Sequence, residues 1–327
     1  MCGIFGFCFN EMGATHEDIL DDVLKMAVHS QVRGTDACGA YIVNTDGILY
    51  WKAPDSVSEN LDDLAIFLAD NIGPKTVAII GHTRAATLGD PECNDNNHPI
   101  LDEHIIGVHN GVIRNHAKLD AKYTKCAEVD SSAIMALLRS KTMDHDLGLK
   151  TLTKNLKELE GPFAIAVADA RSTDKVYLAR NTNPVNFTRN LDKGYLAFAS
   201  TAEIVKNALG EVETFSMPAN TAVRVDSKAV NGKLVYKSLA VMPTPSVMTS
   251  GYKPLRRASI DTRSYIPSWL RSTGVYDEEA LPEYNDRGKP SVGDEIKCSK
   301  CGQYQMYAYT SQGGGIVVHE CIKNPDM

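Results

Sequence analysis

The stretch that decides the fold is Met1-Cys2-Gly3-Ile4-Phe5-Gly6. Its apolar residues predict a buried first strand, and the cysteine directly follows the initiator methionine. If an aminopeptidase removes Met1, Cys2 carries a free α-amine and a thiol, which titrate near ~8 and ~8.5. One residue then supplies both a nucleophile and a general base. The alternative is an unreactive thiol buried in the first strand.

The composition is that of an ordinary soluble globular protein, with 327 residues, 43% hydrophobic and 23% charged. A formal net charge of −7 gives no global sign of nucleic-acid binding. No apolar run approaches the ~18 residues of a membrane span, and the N-terminus lacks the features of a signal peptide. We therefore expect a cytoplasmic protein with reduced cysteines, which binds neither nucleic acid nor membranes.

The apolar patterns predict one large α+β domain over residues 2–240. Strand patterns often follow one another directly, which favours antiparallel sheets with helices packed outside them over a parallel βαβ series. Helices are predicted from a cap at Thr15, over 61–72, from a cap at Asp130, over 147–159 and over 202–209. Residues 241–290 are rich in proline and lack apolar periodicity, which predicts a linker or a wrapping arm. Residues 291–327 would form a small module.

Charged residues at the ends of predicted elements suit the recognition of a small zwitterion. Arg84 ends a buried strand and is followed by Thr87, so the pair can bind a carboxylate or Arg84 can form an edge salt bridge. Asp130 is either a helix cap or the partner of a substrate ammonium group. Arg33 either belongs to a structural turn or lines the site, whereas Asp36 is interpreted as structural.

Asn110-Gly111 follows the strand pattern IIGVH and has two interpretations. Asn-Gly is a leading hairpin signal, which predicts a tight turn. The pair can instead form an oxyanion hole, in which the asparagine amide and the glycine backbone N–H donate to a tetrahedral intermediate.

Six motifs occur in the order CGIFGF, RGTDACGAY, GHTRAAT, NNHP, VHNGVIRNH and EVDSSAI. This ordered set resembles the class II glutamine amidotransferase domain, an N-terminal nucleophile hydrolase domain found in glucosamine-6-phosphate synthase and amidophosphoribosyltransferase. Downstream, GPFAIAVAD, VYLAR and LAFASTAEIV extend the resemblance to about residue 226. Each motif alone is weak, and the specificity lies in the ordered set.

The resemblance implies a four-layer αββα sandwich that hydrolyses the side-chain amide of L-glutamine through a γ-glutamyl thioester, with no cofactor. It makes Cys2 the nucleophile and its α-amine the base. Asn110 and Gly111 would form the oxyanion hole. The glutamine α-carboxylate would bind Arg84 and Thr87, the α-amine would bind Asp130, and Arg33 would support the nucleophile.

Two residues depart from the family pattern. Ala85 stands where the family usually has an aromatic residue, and Leu88 stands where some members have histidine. Both changes predict a weaker closure of the loop over glutamine. Two other functions stay open: an amidohydrolase of another γ-glutamyl compound, and a non-catalytic binding or regulatory protein. The joint presence of the nucleophile, oxyanion and substrate-binding residues argues against the latter.

Residues 227–327 are too few for a sugar isomerase, a phosphoribosyltransferase or an asparagine-synthetase domain. We therefore expect the ammonia acceptor to be an enzyme on a separate chain. The tail contains Cys298-x2-Cys301 and His319-x-Cys321, which could hold a tetrahedral structural zinc. The alternative is a set of reduced cysteines in a short hairpin.

Overall fold

The computed structural model describes residues 1–15, 18–232, 234, 236–239, 295–297, 304–308 and 315–316. The predicted linker over 241–290 lies outside the described residues. The four predicted zinc ligands, Cys298, Cys301, His319 and Cys321, lie outside them as well. Both therefore stay predictions.

The described part of the chain alternates between short helices and strands. Its helices are α1 (Ile19–Ser30), α2 (Leu61–Asn71), α3 (His116–Asp120), α4 (Asp130–Ser140), α5 (Leu149–Asn155), α6 (Ala202–Leu209) and α7 (Ser227–Asn231). Its strands are β1 (Gly3–Phe9), β2 (Ala37–Asn44), β3 (Gly47–Pro54), β4 (Thr76–Arg84), β5 (Ile100–Asp102), β6 (Ile105–Gly111), β7 (Phe163–Asp169), β8 (Ser172–Arg180), β9 (Asn186–Asn190), β10 (Tyr195–Ala199), β11 (Phe215–Ser216), β12 (Thr221–Asp226), β13 (Tyr236–Ser238), β14 (Glu295–Lys297), β15 (Tyr304–Ala308) and β16 (Gly315–Ile316).

Two antiparallel sheets form the centre of the fold. The first sheet has seven strands in the order β11-β9-β10-β1-β4-β2-β3. The second has six strands in the order β13-β12-β8-β7-β6-β5. A small third sheet pairs β14 with β15 and β15 with β16. Because β1 and β4 are adjacent, the N-terminus lies beside the end of the strand that carries Arg84.

Three apolar layers hold the sheets and helices together. Alternate residues of a strand face opposite sides of its sheet, so each strand of the first sheet contributes to two layers. Phe5 and Phe7 of β1 pack against helices such as α1 on the outside, whereas Ile4 and Cys8 face the second sheet. On the far side of the second sheet, α4 and α5 cover residues such as Ile165. The order helix, sheet, sheet, helix is the predicted four-layer arrangement.

Several element boundaries differ from the sequence-based expectations. Helix α1 begins at Ile19 after Asp18 rather than at a Thr15 cap. The segment predicted as one helix over 147–159 is divided into α5 and a short 3₁₀ turn at Leu156–Glu158. Strand β9 has the polar sequence NFTRN, and its lack of apolar alternation explains why no strand is predicted there. None of the helices in the described ranges is both long and apolar enough to cross a bilayer.

Candidate active site

The register of β1 against β4 places Cys2 at the end of the first sheet. Gly3 pairs with Thr83 and Ile4 with His82, so Cys2 lies next to the Arg84 end of β4. A side chain at position 3 would not fit, because its Cβ would lie 2.5 Å from Thr83 Oγ1. Glycine therefore lets the first strand approach β4 closely at the point where the thiol must be held.

Arg33 supports the backbone of the nucleophile. It ends the 3₁₀ turn Gln31–Arg33 that follows α1, and its Nε donates to the carbonyl oxygen of Cys2 at 2.7 Å. The structure thus places Arg33 where the resemblance implies it, beside Cys2. Met1 is 75% exposed, so the bond that an aminopeptidase must cut lies at the protein surface.

Arg84 is buried and its guanidinium is already hydrogen-bonded. Strand β4 ends at Arg84, as the sequence pattern predicts. Its Nη1 donates to Asn97 Oδ1 at 2.6 Å, and its Nη2 donates to the carbonyl oxygens of Leu88 and Gly89, the latter at 2.8 Å. Burial lowers the pKa of Arg84, and Cys2, Asp36, Asp90 and Asp130 oppose that shift. This is a desolvated cation surrounded by acceptors, not an exposed edge salt bridge.

The loop after β4 folds over both Arg84 and the thiol. The backbone N–H of Ala85 donates to Cys2 Sγ at 3.4 Å. Asp36 Oδ2 accepts from the N–H of Ala86 at 2.7 Å, which gives Asp36 the structural role expected of it. Thr87 and Leu88 are exposed at the tip of the loop. The structure therefore places Thr87 in this loop without joining it to Arg84.

Asn110 and Gly111 lie at the end of β6 and do not form a hairpin turn. Both continue the ladder with β7, where Asn110 pairs with Ala164 and Gly111 with Phe163. Gly111 has φ +152°, and a Cβ there would lie 2.0 Å from the carbonyl oxygen of Pro162. Asn110 is 1% exposed, and its Nδ2 has no hydrogen-bond partner. A buried, unpaired amide donor costs about 1–3 kcal/mol, which marks it as a group awaiting an acceptor.

The two sheets meet at this end through a histidine contact. His82 of β4 pairs with Ile4, and its Nε2 lies 3.0 Å from the carbonyl oxygen of His109. Because a carbonyl only accepts, Nε2 carries the proton. The contact ties the residue before Asn110 to the strand beside Cys2. It therefore places the end of β6, which carries the candidate oxyanion donors, beside β4, the strand that pairs with β1.

Asp130 opens α4 and is 5% exposed. Its Oδ2 accepts from the backbone N–H of Ile113 at 2.6 Å, and no side-chain bond caps its own helix. The carboxylate thereby fixes the segment that follows Gly111. Asp130 also acts electrostatically on Cys2, which places an anion close to the thiol.

Burial is the largest influence on the pKa of the Cys2 thiol and raises it. The Ala85 N–H, the N-terminal ammonium and Arg84 lower the pKa, and Asp130 adds to the rise. The thiolate therefore needs a nearby base and nearby positive charge. An α-amine on Cys2 itself, after removal of Met1, would be the closest base available.

Sequence reasoning assigned no role to three buried histidines, to Asn97 or to Lys52. The ring centroids of His82 and His98 are 4.1 Å apart, and His109 Nδ1 lies 2.9 Å from Ser131 Oγ. The motifs GHTR, NNHP and VHNG each contain one of these histidines, and Asn97 belongs to NNHP. This recurrence of histidine was the available signal.

Comparison with known proteins shows what this chain is similar to. Residues 82–207 match the glutamine amidotransferase domain. A glutamine–fructose-6-phosphate aminotransferase (isomerizing) of Staphylococcus epidermidis is 30% identical over 207 residues, which are 62% of this chain and 32% of that protein. Its counterpart in Bacillus licheniformis is 28% identical over 337 residues, covering 99% of this chain and 52% of that protein. The chain thus spans about a third to a half of these relatives.

Residues 82–207 are thus similar to a glutamine amidotransferase domain. The fold is shared with glutamine phosphoribosylpyrophosphate amidotransferase of Bacillus subtilis, with a TM-score of 0.56 and 15% identity over 73% of this chain and 49% of that one. A second structure, the allosteric regulatory enzyme of purine biosynthesis, has a TM-score of 0.58 and 16% identity over 74% of this chain and 50% of the other. The predicted resemblance and the predicted sandwich are confirmed.

Proposed function

We propose that this amidotransferase domain hydrolyses the side-chain amide of L-glutamine to glutamate and ammonia. The observation that carries the proposal is the setting of the Cys2 thiol, which accepts from the backbone N–H of Ala85, next to Arg84 in the chain. Both the Arg84 cation and the Asp130 anion act on this thiol. A free amino acid offers one carboxylate and one ammonium group, so this pair suits it. The unpaired amide of Asn110 supplies the donor that a developing oxyanion needs.

Substrate binding must change the contacts of Arg84. In the structure, Arg84 Nη2 donates to the carbonyl oxygens of Leu88 and Gly89, and a substrate carboxylate would need these same donors. We infer that glutamine displaces these carbonyls and that the exposed hydroxyl of Thr87 becomes available as a second donor. The Nη1 contact to Asn97 can persist, because it uses the other amino group. Asp130 would receive the substrate ammonium on the oxygen that does not bind Ile113.

The reaction then needs one nucleophile and one proton carrier. The α-amine of Cys2 takes the thiol proton, and the thiolate attacks the amide carbon while Asn110 and the Gly111 N–H stabilise the oxyanion. The C–N bond breaks, and ammonia leaves with the proton returned from the amine. Water activated by the same amine then attacks the γ-glutamyl thioester and releases glutamate and the free thiol.

The acceptor of the ammonia is a separate question. The sequence predicts an acceptor enzyme on another chain, but the relatives give that hypothesis no support. Each relative is a single, longer protein whose name joins glutamine to fructose 6-phosphate. Isolation of the native protein, followed by its intact mass and the identity of its co-purifying proteins, would decide between an acceptor region in the same polypeptide and a partner.

The decisive experiment compares ammonia and glutamate release from glutamine by the wild type and by Cys2→Ala, after intact mass shows loss of Met1. We expect loss of the nucleophile to reduce hydrolysis by at least ~10³-fold. Other γ-glutamyl amides serve as the specificity control, because Arg84 and Asp130 favour a free amino acid. Equal release from both proteins, or none from a wild type that has lost Met1, would contradict the proposal and favour a binding protein.

A further inference from the structure

Behind Arg84 lies a chain of contacts that ends at Lys52. Lys52 is part of β3, the edge strand of the first sheet. Its Nζ donates to the carbonyl oxygens of Asn97 and Pro99, at 3.0 and 3.2 Å. Asn97 in turn accepts from Arg84 Nη1 through Oδ1. A single residue, Asn97, therefore receives the lysine on its backbone and the arginine on its side chain.

Asn97 can hold the guanidinium only if its own backbone is fixed. The segment from Asn97 to Pro99 belongs to no helix or strand, so its buried carbonyls need partners from elsewhere. Lys52 supplies a partner to two of them. The amide nitrogen of Asn97 is held separately, by the Pro91 carbonyl oxygen at 2.6 Å and by Asn94 Oδ1 at 3.0 Å. With the nitrogen held there, Oδ1 is directed at Arg84.

The charge on Lys52 strengthens this arrangement. Burial lowers its pKa to about 8, while Asp95, Cys126 and Cys93 act in the opposite direction. The ammonium is therefore the main form at neutral pH. Hydrogen bonds from an ammonium to a carbonyl are roughly twice as strong as those between neutral groups. Two such bonds restrain the segment more firmly than a neutral side chain would.

We propose that Lys52 is a positioning residue for glutamine binding, which fixes the Asn97–Pro99 segment and thereby orients Arg84 toward the substrate carboxylate. Lys52 does not itself contact the substrate, so its loss should weaken binding and leave the chemical step intact. The inference rests on the proposed role of Arg84 in holding glutamine.

The test is the split between KM and kcat for glutamine hydrolysis. Lys52→Met keeps the length of the side chain but removes its donors, and we expect KM to rise about tenfold with kcat within about twofold of wild type. Lys52→Arg keeps the charge and the donors, so it should restore most of the affinity. The matched control is Lys75→Met, since Lys75, directly before β4, is exposed and pairs with an exposed aspartate, Asp46.

A double-mutant cycle tests the route of the effect. If Lys52 acts through Asn97, Lys52→Met should add little to the KM of Asn97→Ala, because the two residues act in series. Calorimetric titration of glutamine into the Cys2→Ala variant, with and without Lys52→Met, should show the same loss of affinity. A wild-type KM in folded Lys52→Met, or additive effects of the two changes, would overturn the inference.

The outcomes also separate this inference from the proposed function. A wild type that hydrolyses glutamine alongside an unaltered KM in Lys52→Met rejects only the role of Lys52. A wild type that neither hydrolyses nor binds glutamine rejects both. If Lys52→Met does not fold, Asn97→Ala decides the matter, since a wild-type KM in that variant also removes the link to Arg84.

Discussion

The two central sheets differ in whether their polar site groups already have hydrogen-bond partners. In the first sheet the polar groups are already engaged: Cys2 contacts Ala85, and Arg84 donates to Asn97 and to its own loop. In the second sheet Asn110 is held in place by its strand while its amide nitrogen has no partner. The comparison indicates a rigid oxyanion side that is ready for the reaction and a binding side that must rearrange when substrate enters.

The largest expected effect comes from a substitution in the rigid oxyanion side. Asn110→Ala removes the unpaired donor, so we expect kcat for glutamine hydrolysis to fall by about 10²–10³-fold while KM changes little. Steady-state kinetics of ammonia release measures both. Asn115→Ala is the matched control, because the amide of Asn115 is satisfied by Glu158 and Glu160. A kcat near that of wild type in folded Asn110→Ala would remove Asn110 from the oxyanion hole.

The contact that joins the two sides should be sensitive to acid. Burial lowers the pKa of His82 to about 3, and it lowers the pKa values of His98 and His109 as well. Because the unfolded chain binds protons first, the stability from these neutral rings is complete above about pH 6.5 and is lost as the pH falls below it.

We therefore expect the free energy of unfolding to fall by up to ~1.4 kcal/mol per pH unit for each histidine below pH 6.5. Urea denaturation at pH 7, 6 and 5 measures the slope. His82→Gln should reduce this slope, because it removes one of the buried rings with a lowered pKa. An equal slope in wild type and His82→Gln would show that the contact between the sheets carries no proton linkage.

The sequence predicted the residues of the rigid oxyanion side more completely than the contacts of the binding side. The apolar pattern identifies a strand over 105–109, which the structure extends to Ile105–Gly111, and a residue directly after a strand is placed by that strand. The hairpin interpretation of Asn110-Gly111 was wrong, because the pairing with β7 continues through both residues and does not turn. Local sequence could not show this, since the partner lies about 50 residues away.

The hydrogen-bond partners of Arg84 could not be predicted from the sequence, for a related reason. Its partners are two backbone carbonyls and the side chain of Asn97. Every residue has a backbone carbonyl, so the sequence does not indicate which of them accepts a hydrogen bond. Lys52 is distant in the chain from Asn97, so only the tertiary fold brings them together. The residue type of Arg84 predicts that it can bind a carboxylate. It does not predict that nearby carbonyl oxygens accept its hydrogen bonds in the structure.

The smallest expected effect comes from a substitution in the loop of the binding side. Ala85 lies in the loop beside the thiol, at a position where an aromatic residue would be expected from the resemblance. Ala85→Trp adds a large apolar surface that can cover bound glutamine, so we expect KM to fall about threefold with kcat unchanged. Ala86→Trp, one position along the same loop, is the control. If Ala85→Trp leaves KM unchanged, the loop does not act as a cover, and the exchange of carbonyls at Arg84 must occur without closure over the substrate.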